Sequence, residues 1–254
     1  MEYVYRLSKE LDENMEANFK PNRDISLKLF MATCPQSHPP TASHPALPYL
    51  QGYLNEVLPN VSTTTKELYV IYYSYLFSPQ QLESRFSSEK VQEVRNAYLA
   101  QRDETTYSDI PKFIKNHRTL EDALDTISEQ HQAKYGLEKE SLRLRGNTFT
   151  YISELPANDR SNILKSISKE NRENNLFYEF YKSKVLPHIE SQNYDAVALS
   201  VFLPDQVLPT LLLASMIKEQ NPNRKVILGG NYLTRFKETL GKNDELNKKI
   251  FEYV

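Results

Sequence analysis

A strand, a helix and a second strand, joined by short loops between Tyr194 and Tyr232, constrain this chain more than any other stretch. Ala196-Val197-Ala198-Leu199-Ser200-Val201-Phe202 is a short apolar run with β-branched and aromatic content, the pattern of a strand covered on both faces. Pro204 and Asp205 break it. Val207, Leu208, Leu211, Leu212, Ala214 and Ile217 then recur at helical spacing. Pro209 falls in the first turn of that helix, where a proline is tolerated. Asn221-Pro222-Asn223 stops it, because the residue before a proline is pushed out of the α region. Lys225-Val226-Ile227-Leu228 predicts a second buried strand, ended by Gly229-Gly230-Asn231. A unit of this kind has parallel strands and a right-handed crossover. Ligands of such sheets sit outside the carboxyl ends of the strands. Those ends are Ser200 to Gln206 and Gly229 to Tyr232.

Upstream, Ile25-Ser26-Leu27-Lys28-Leu29-Phe30-Met31-Ala32 alternates and then turns apolar, which predicts the first strand. It enters a loop held extended by prolines, from Thr33-Cys34-Pro35 through Pro39-Pro40 to Pro45. A helix follows from Ala46, with Leu47, Leu50, Tyr53, Leu54, Val57 and Leu58 on one stripe. Val61 to Thr65 is rich in β-branched residues and predicts a second strand. The next stretch favours helical spacing: Leu68 to Leu76, Pro79 to Arg102, Lys112 to Gln132 and Arg172 to Ile189. Tyr135 to Asn162, with Gly136, Gly146 and Pro156, reads as loop with at most short helices. A last helix is expected from Thr234 to Val254. The resulting division is a polar leader over 1–23 and an α/β domain over 24–254, with a helical insertion at about 66–192. The expected fold class is α/β, a Rossmann-like parallel sheet that stops before the fifth strand such sheets ordinarily carry.

Composition narrows the function classes. A net charge of −2 argues against a general nucleic-acid or membrane-surface binder. No apolar run approaches the length of a bilayer span, and the first residues lack an apolar signal core, so a cytoplasmic setting is expected. The single cysteine, Cys34, excludes an internal disulfide and any cysteine-only metal cluster held by this chain. His38, His44, His117, His131 and His188 show no metal-ligand spacing. No GxGxxG or GxxxxGK[ST] phosphate fingerprint is present, and neither a catalytic triad order nor a carboxylate pair stands out.

The candidate residues gather at the predicted strand ends, and each has two readings. Gly229-Gly230 either lets a ligand face approach the strand end or makes a tight turn. Ser200 is either a ligand hydrogen-bond partner or a small strand residue bonded to backbone. Gln206 either points into the cleft or is an ordinary first-turn residue. Cys34 reads best as a buried structural thiol.

Two segments carry a family resemblance. ATCPQSHPPTASHPALPYLQGYL resembles the amino-terminal region of cobalamin-binding-domain radical SAM proteins, most closely the group acting on ribosomal peptides, in which a strand, a Pro-rich loop and an "A-L-x-Y-L" helix open the domain. AVALSVFLPDQVLPTLLLASMIKEQNPNRKVILGGN is similar to that family's "G-x-S-x-x-x-x-Q" strand and helix followed by a "G-G" strand end. By position, the resemblance implies that Ser200, Val201, Phe202, Gln206, Gly229, Gly230 and Asn231 lie along a corrin ring. It also implies that Pro39, Pro40, Ala46 and Leu47 line the first loop. The DxHxxG cobalt-ligating signature is absent, as it generally is in this group. The CxxxCxxC cluster motif is also absent, and one cysteine cannot hold a [4Fe–4S] cluster.

The implied function is that of a cobalamin-binding domain or fragment of a B12-dependent radical SAM enzyme, a methyltransferase or peptide-modifying one, which is not catalytic alone. S-adenosylmethionine and the [4Fe–4S] cluster would belong to a catalytic barrel supplied by a carboxyl-terminal part, in cis or in trans, with a peptide as a possible substrate. The alternative is a non-catalytic Rossmann-like interaction module without cobalamin. A small-molecule transferase using the same cleft has no well-placed acid, base or nucleophile to support it.

Overall fold

The computed structural model describes residues 26–35, 45–138, 143–145, 150–152, 159–235, 245 and 248. The polar leader, the Pro39-Pro40 loop and most of the expected last helix lie outside them. Four parallel strands form one sheet: β1 (Leu27–Thr33), β2 (Val61–Glu67), β5 (Ala196–Ser200) and β6 (Lys225–Gly229), in the order β2-β1-β5-β6. The α/β class and the helical insertion between the second and third of these strands are as the sequence predicts. β1 pairs with β2 on one side and with β5 on the other, so the order reverses there, and the crevice of such a fold opens outside their carboxyl ends.

The two faces of the sheet are covered differently. Phe30, Ala32, Val197 and Leu199 share one face and belong to the main core. Packed into that core are α2 (Leu68–Leu76), α6 (Ile110–Tyr135) and α10 (Val207–Gln220). α10 is buried continuously from Val207 to Ile217, which explains why its apolar residues wind right round it. The opposite face is partly covered by α1 (Ala46–Val57), whose Gln51 amide donates to the Thr63 carbonyl at 2.8 Å and accepts from the Thr65 hydroxyl at 3.1 Å. Asn55 accepts from Thr63, so α1 descends from the carboxyl edge of the sheet, with Ala46 and Leu47 at its upper end.

Three expectations are corrected. β6 forms where predicted but is not buried: Lys225 is exposed and Ile227 is 52% exposed, because β6 is the edge of the described sheet and its second face lacks a described cover. The helix expected from Pro79 to Arg102 is two, α3 (Pro79–Glu83) and α4 (Ser88–Ala100), separated where Ser87 caps the second by accepting from the Lys90 N–H. The stretch expected as loop with at most short helices contains a two-stranded antiparallel pair, β3 (Arg143–Arg145) with β4 (Thr150–Ile152); α7 (Arg160–Ile167) starts at its end. Leu144 of β3 is fully buried, and its N–H donates to the Ser128 hydroxyl of α6 at 3.0 Å.

α6 begins with Asp109 accepting from the Lys112 N–H and ends at Gly136 with φ +64, the left-handed cap for which glycine is suited. Between it and α4 lies α5 (Glu104–Ser108). The helix expected from Arg172 to Ile189 starts as a 3-10 turn (Arg172–Asn174), resumes as α8 (Tyr178–Phe180), widens into a π turn (Tyr181–Val185) and finishes as α9 (Leu186–Gln192). Pro187 supplies a cause: it has no N–H, and its ring crowds the carbonyl four residues back, so the chain widens before it. No helix among the described residues is long and apolar enough to cross a membrane.

Candidate functional site

Parallel pairing aligns the strand ends. Thr33 is opposite Glu67 on one side and Ser200 on the other, and Ser200 is opposite Gly229. Aligned partners in a sheet project to the same face. Thr33, Ser200 and Gly229 therefore make one row across three strands at the carboxyl edge, with Glu67 bounding it beyond Thr33. The row is neutral. A Cβ added at Gly229 meets nothing within 4 Å, so the backbone lies open there. The Thr33 hydroxyl is buried and makes no hydrogen bond among the described residues. A buried hydroxyl with no partner is uncommon, and it stands here at the switch point of the sheet.

The loop beyond β5 is built around Gln206. Its Oε1 accepts from the N–H of Phe202 at 2.9 Å and of Leu203 at 3.4 Å, and its Nε2 donates to the Cys34 carbonyl at 3.2 Å. Gln206 is 0% exposed, so it does not point into the cleft as one of its readings had it. Its carboxamide is committed to holding the ends of β1 and β5 together. Gly230 is also explained by the fold. Its φ is +106, and an added Cβ would lie 2.3 Å from the Val201 carbonyl oxygen. The N–H of Val201 donates to Gly229 O at 2.8 Å, and that of Tyr232 to Val201 O at 3.2 Å, closing α11 (Asn231–Arg235) onto the β5 loop. Gly230 thus serves a close backbone approach, whereas Gly229 faces open space.

The remaining expected residues divide by burial. Ser200, Phe202 and Gly230 are half-buried, and Ala46 and Asn231 are exposed, so all five can be reached from outside. Val201 and Leu47 are buried in packing. Pro39 and Pro40 lie outside the described residues, as do His38 and His44. Thr33 and Glu67 were missed. Their signal in the sequence is positional: each is the last residue of its strand, and strand order alone reveals which ends meet.

On the other face Cys34 is fully buried, and burial pushes its thiol up to about 11 despite the neighbouring Thr210 and Tyr181 hydroxyls. Those two hydroxyls lie beside the sulfur without a hydrogen bond of good geometry, and both are completely buried. Tyr181 opens the π turn, which places its ring there. The cluster keeps Cys34 a protonated, inert thiol at neutral pH. Among the described residues no group of His, Cys, Asp or Glu side chains is arranged to hold a metal ion. Comparison with known proteins finds no matching family model, no matching curated protein and no matching solved structure.

Proposed function

We propose that the carboxyl edge of the sheet binds a corrinoid, and that the chain is the cobalamin-binding domain of a cytoplasmic B12-dependent radical SAM enzyme. The supporting observation is the row Thr33, Ser200 and Gly229, neutral and in register, with bare backbone at Gly229 and a reachable hydroxyl at Ser200. A corrin is a broad, largely apolar disc edged with amides. It calls for a low shelf of small residues with a few neutral hydrogen-bonding groups. Ser200, half-buried, offers a hydroxyl to a peripheral amide, Thr33 lies buried beside it in the floor, and Gly229 admits the ring close to the backbone. Gln206 and Gly230 act one layer below, fixing the loops that bound the shelf.

When bound, cobalamin supplies group-transfer or redox chemistry at cobalt. The chain's own residues hold and orient it toward a partner barrel, in cis or in trans, that carries S-adenosylmethionine and the cluster. The test is incubation with hydroxocobalamin, desalting and an absorption spectrum. Retained corrin absorbance, lost when Gly229→Leu fills the shelf in a protein of unchanged circular dichroism, is the expected result. Absence of retained absorbance in the wild type overturns the proposal.

One observation favours the other reading, an interaction module. α1 leaves Tyr49 79%, Tyr53 52% and Leu50 45% exposed on an apolar stripe.

A further inference from the structure

A second concavity lies within the helical insertion, among residues that contribute nothing to the strand ends. It is a cleft of about 260 Å³ between α2, α6, the segment after α3 and the start of α8. Its floor is apolar and aromatic: Tyr72, Leu76, Ile127 and Leu176. The floor is rigid, since the buried Tyr72 hydroxyl donates to the Leu176 carbonyl at 3.1 Å, and Tyr75 stacks beside Tyr72 with ring centroids 6.1 Å apart. Along α6, Ile127, His131 and Lys134 recur at helical spacing and line one wall.

The walls carry two permanent cations. Arg85 is fixed through one nitrogen, Nη1, which donates to the Gln81 carbonyl at 2.9 Å, to the Gln81 side-chain oxygen and to the Ser84 hydroxyl at 3.2 Å. Its other guanidinium nitrogens have no partner among the described residues. The Lys134 ammonium lies 4.7 Å from the centre of the Tyr135 ring and makes no ion pair among the described residues. His131 has its Nε2 2.8 Å from the Asn174 carbonyl, so that nitrogen carries the proton and Nδ1 is the free face. Burial holds its imidazole below the ordinary value, against the Asn174 bond, with help from Lys134 and Arg85. Glu179 is the one carboxylate lining the cleft. With His131 neutral, the cleft carries a single excess positive charge.

We propose that this cleft is a binding site for a small monocarboxylate with a flat apolar body. The excess charge matches a monoanion rather than a phosphate dianion. Arg85 presents a pre-positioned fork and Lys134 a second donor, while the tyrosine-walled floor accepts the body. Half-apolar concavities with few convergent polar groups are the usual form of small-molecule sites, and this volume sits near their lower bound.

The test uses the full chain and phenylacetate as probe, followed by calorimetry and by the ring proton resonances of His131. Saturable binding is expected, with the His131 pKa rising on saturation because an anion now faces it. Lys134→Gln should weaken binding about tenfold or more, as should Arg85→Gln, the range for losing a charged hydrogen bond. Lys134 is close to Tyr135 alone and makes no ion pair among the described residues, so that variant keeps the test open should Arg85→Gln disturb folding. Three results overturn the proposal: no saturable binding up to about 10 mM, where affinity would be negligible; equal binding by phenethylammonium; or binding of inorganic phosphate as tight as that of phenylacetate. Phenylacetate binding indifferent to Lys134→Gln overturns it as well.

Discussion

The Gln206 carboxamide donates to the Cys34 carbonyl at 3.2 Å across 172 residues of sequence, tying the end of β1 to the loop that follows β5. Replacing it by leucine would leave the N–H groups of Phe202 and Leu203 and the Cys34 carbonyl without that partner in a buried setting. Gln206→Leu should therefore cost about 2–4 kcal/mol, the penalty for orphaning buried polar groups. Urea unfolding measures this, and a loss below about 0.5 kcal/mol would show that the loops hold without it.

The two adjacent glycines should respond in opposite ways. Gly230→Ala places a methyl group 2.3 Å from the Val201 oxygen at a positive φ, and should cost about 3 kcal/mol or more. Gly229→Ala meets nothing within 4 Å and should stay within about 1 kcal/mol of wild type. Equal thermal shifts for the pair would contradict the geometry.

Cys34 should be silent toward thiol reagents in the folded protein. It is fully buried and its thiol is raised to about 11. Labelling with a chromogenic disulfide at pH 8 is expected to follow the unfolding rate and to become immediate in urea. Rapid stoichiometric reaction without denaturant would show that the end of β1 is open.

Stability should fall as the solution is acidified below pH 6.5. His131 and His188 are both held below the ordinary histidine value, each chiefly by burial. Above the unfolded value of 6.5 both are neutral in either state, and their contribution is complete. Below it the unfolded chain takes up protons first, so stability drops until the folded values are passed. His131→Gln should flatten the dependence below pH 6.5 in urea titrations, and an unchanged slope would count against it.

Arg224 links α9 to the starts of β5 and β6. Its Nε donates to the Tyr194 carbonyl at 3.0 Å, and its Nη1 pairs with Glu190 while the side chain is 2% exposed. Arg224→Ala should cost about 1–3 kcal/mol, from the orphaned carbonyl and lost packing more than from the half-exposed ion pair. Glu190→Gln should cost far less, and the reverse ranking in thermal melts would assign the stability to the charge.

Much of the sheet is legible in the residues because β-branched and apolar runs bounded by Pro, Asn and Gly leave few alternatives. Ala196, Val207, Lys225 and Ala46 each begin an element at the position the pattern indicates. The insertion is less legible. Ser87 caps a helix through a local bond that apolar periodicity does not register. The β3 and β4 strands were overlooked although Gly146-Asn147 separates two alternating runs. The exposed face of β6 could not be foreseen either, since Lys225-Val226-Ile227-Leu228 has the same composition whether covered or not. At the site, Ser200 and Gly229 were found because they end apolar runs. Thr33 required the strand order, and the inward turn of Gln206 required its partners.

The contact between Gly230 and Val201 works as a detent for β6. Sliding that strand by one position would exchange the two faces and put the Leu228 side chain where Gly229 now leaves a bare main chain. The glycine can nest against the Val201 backbone in one alignment only, so a backbone contact decides which side chains stand at the rim.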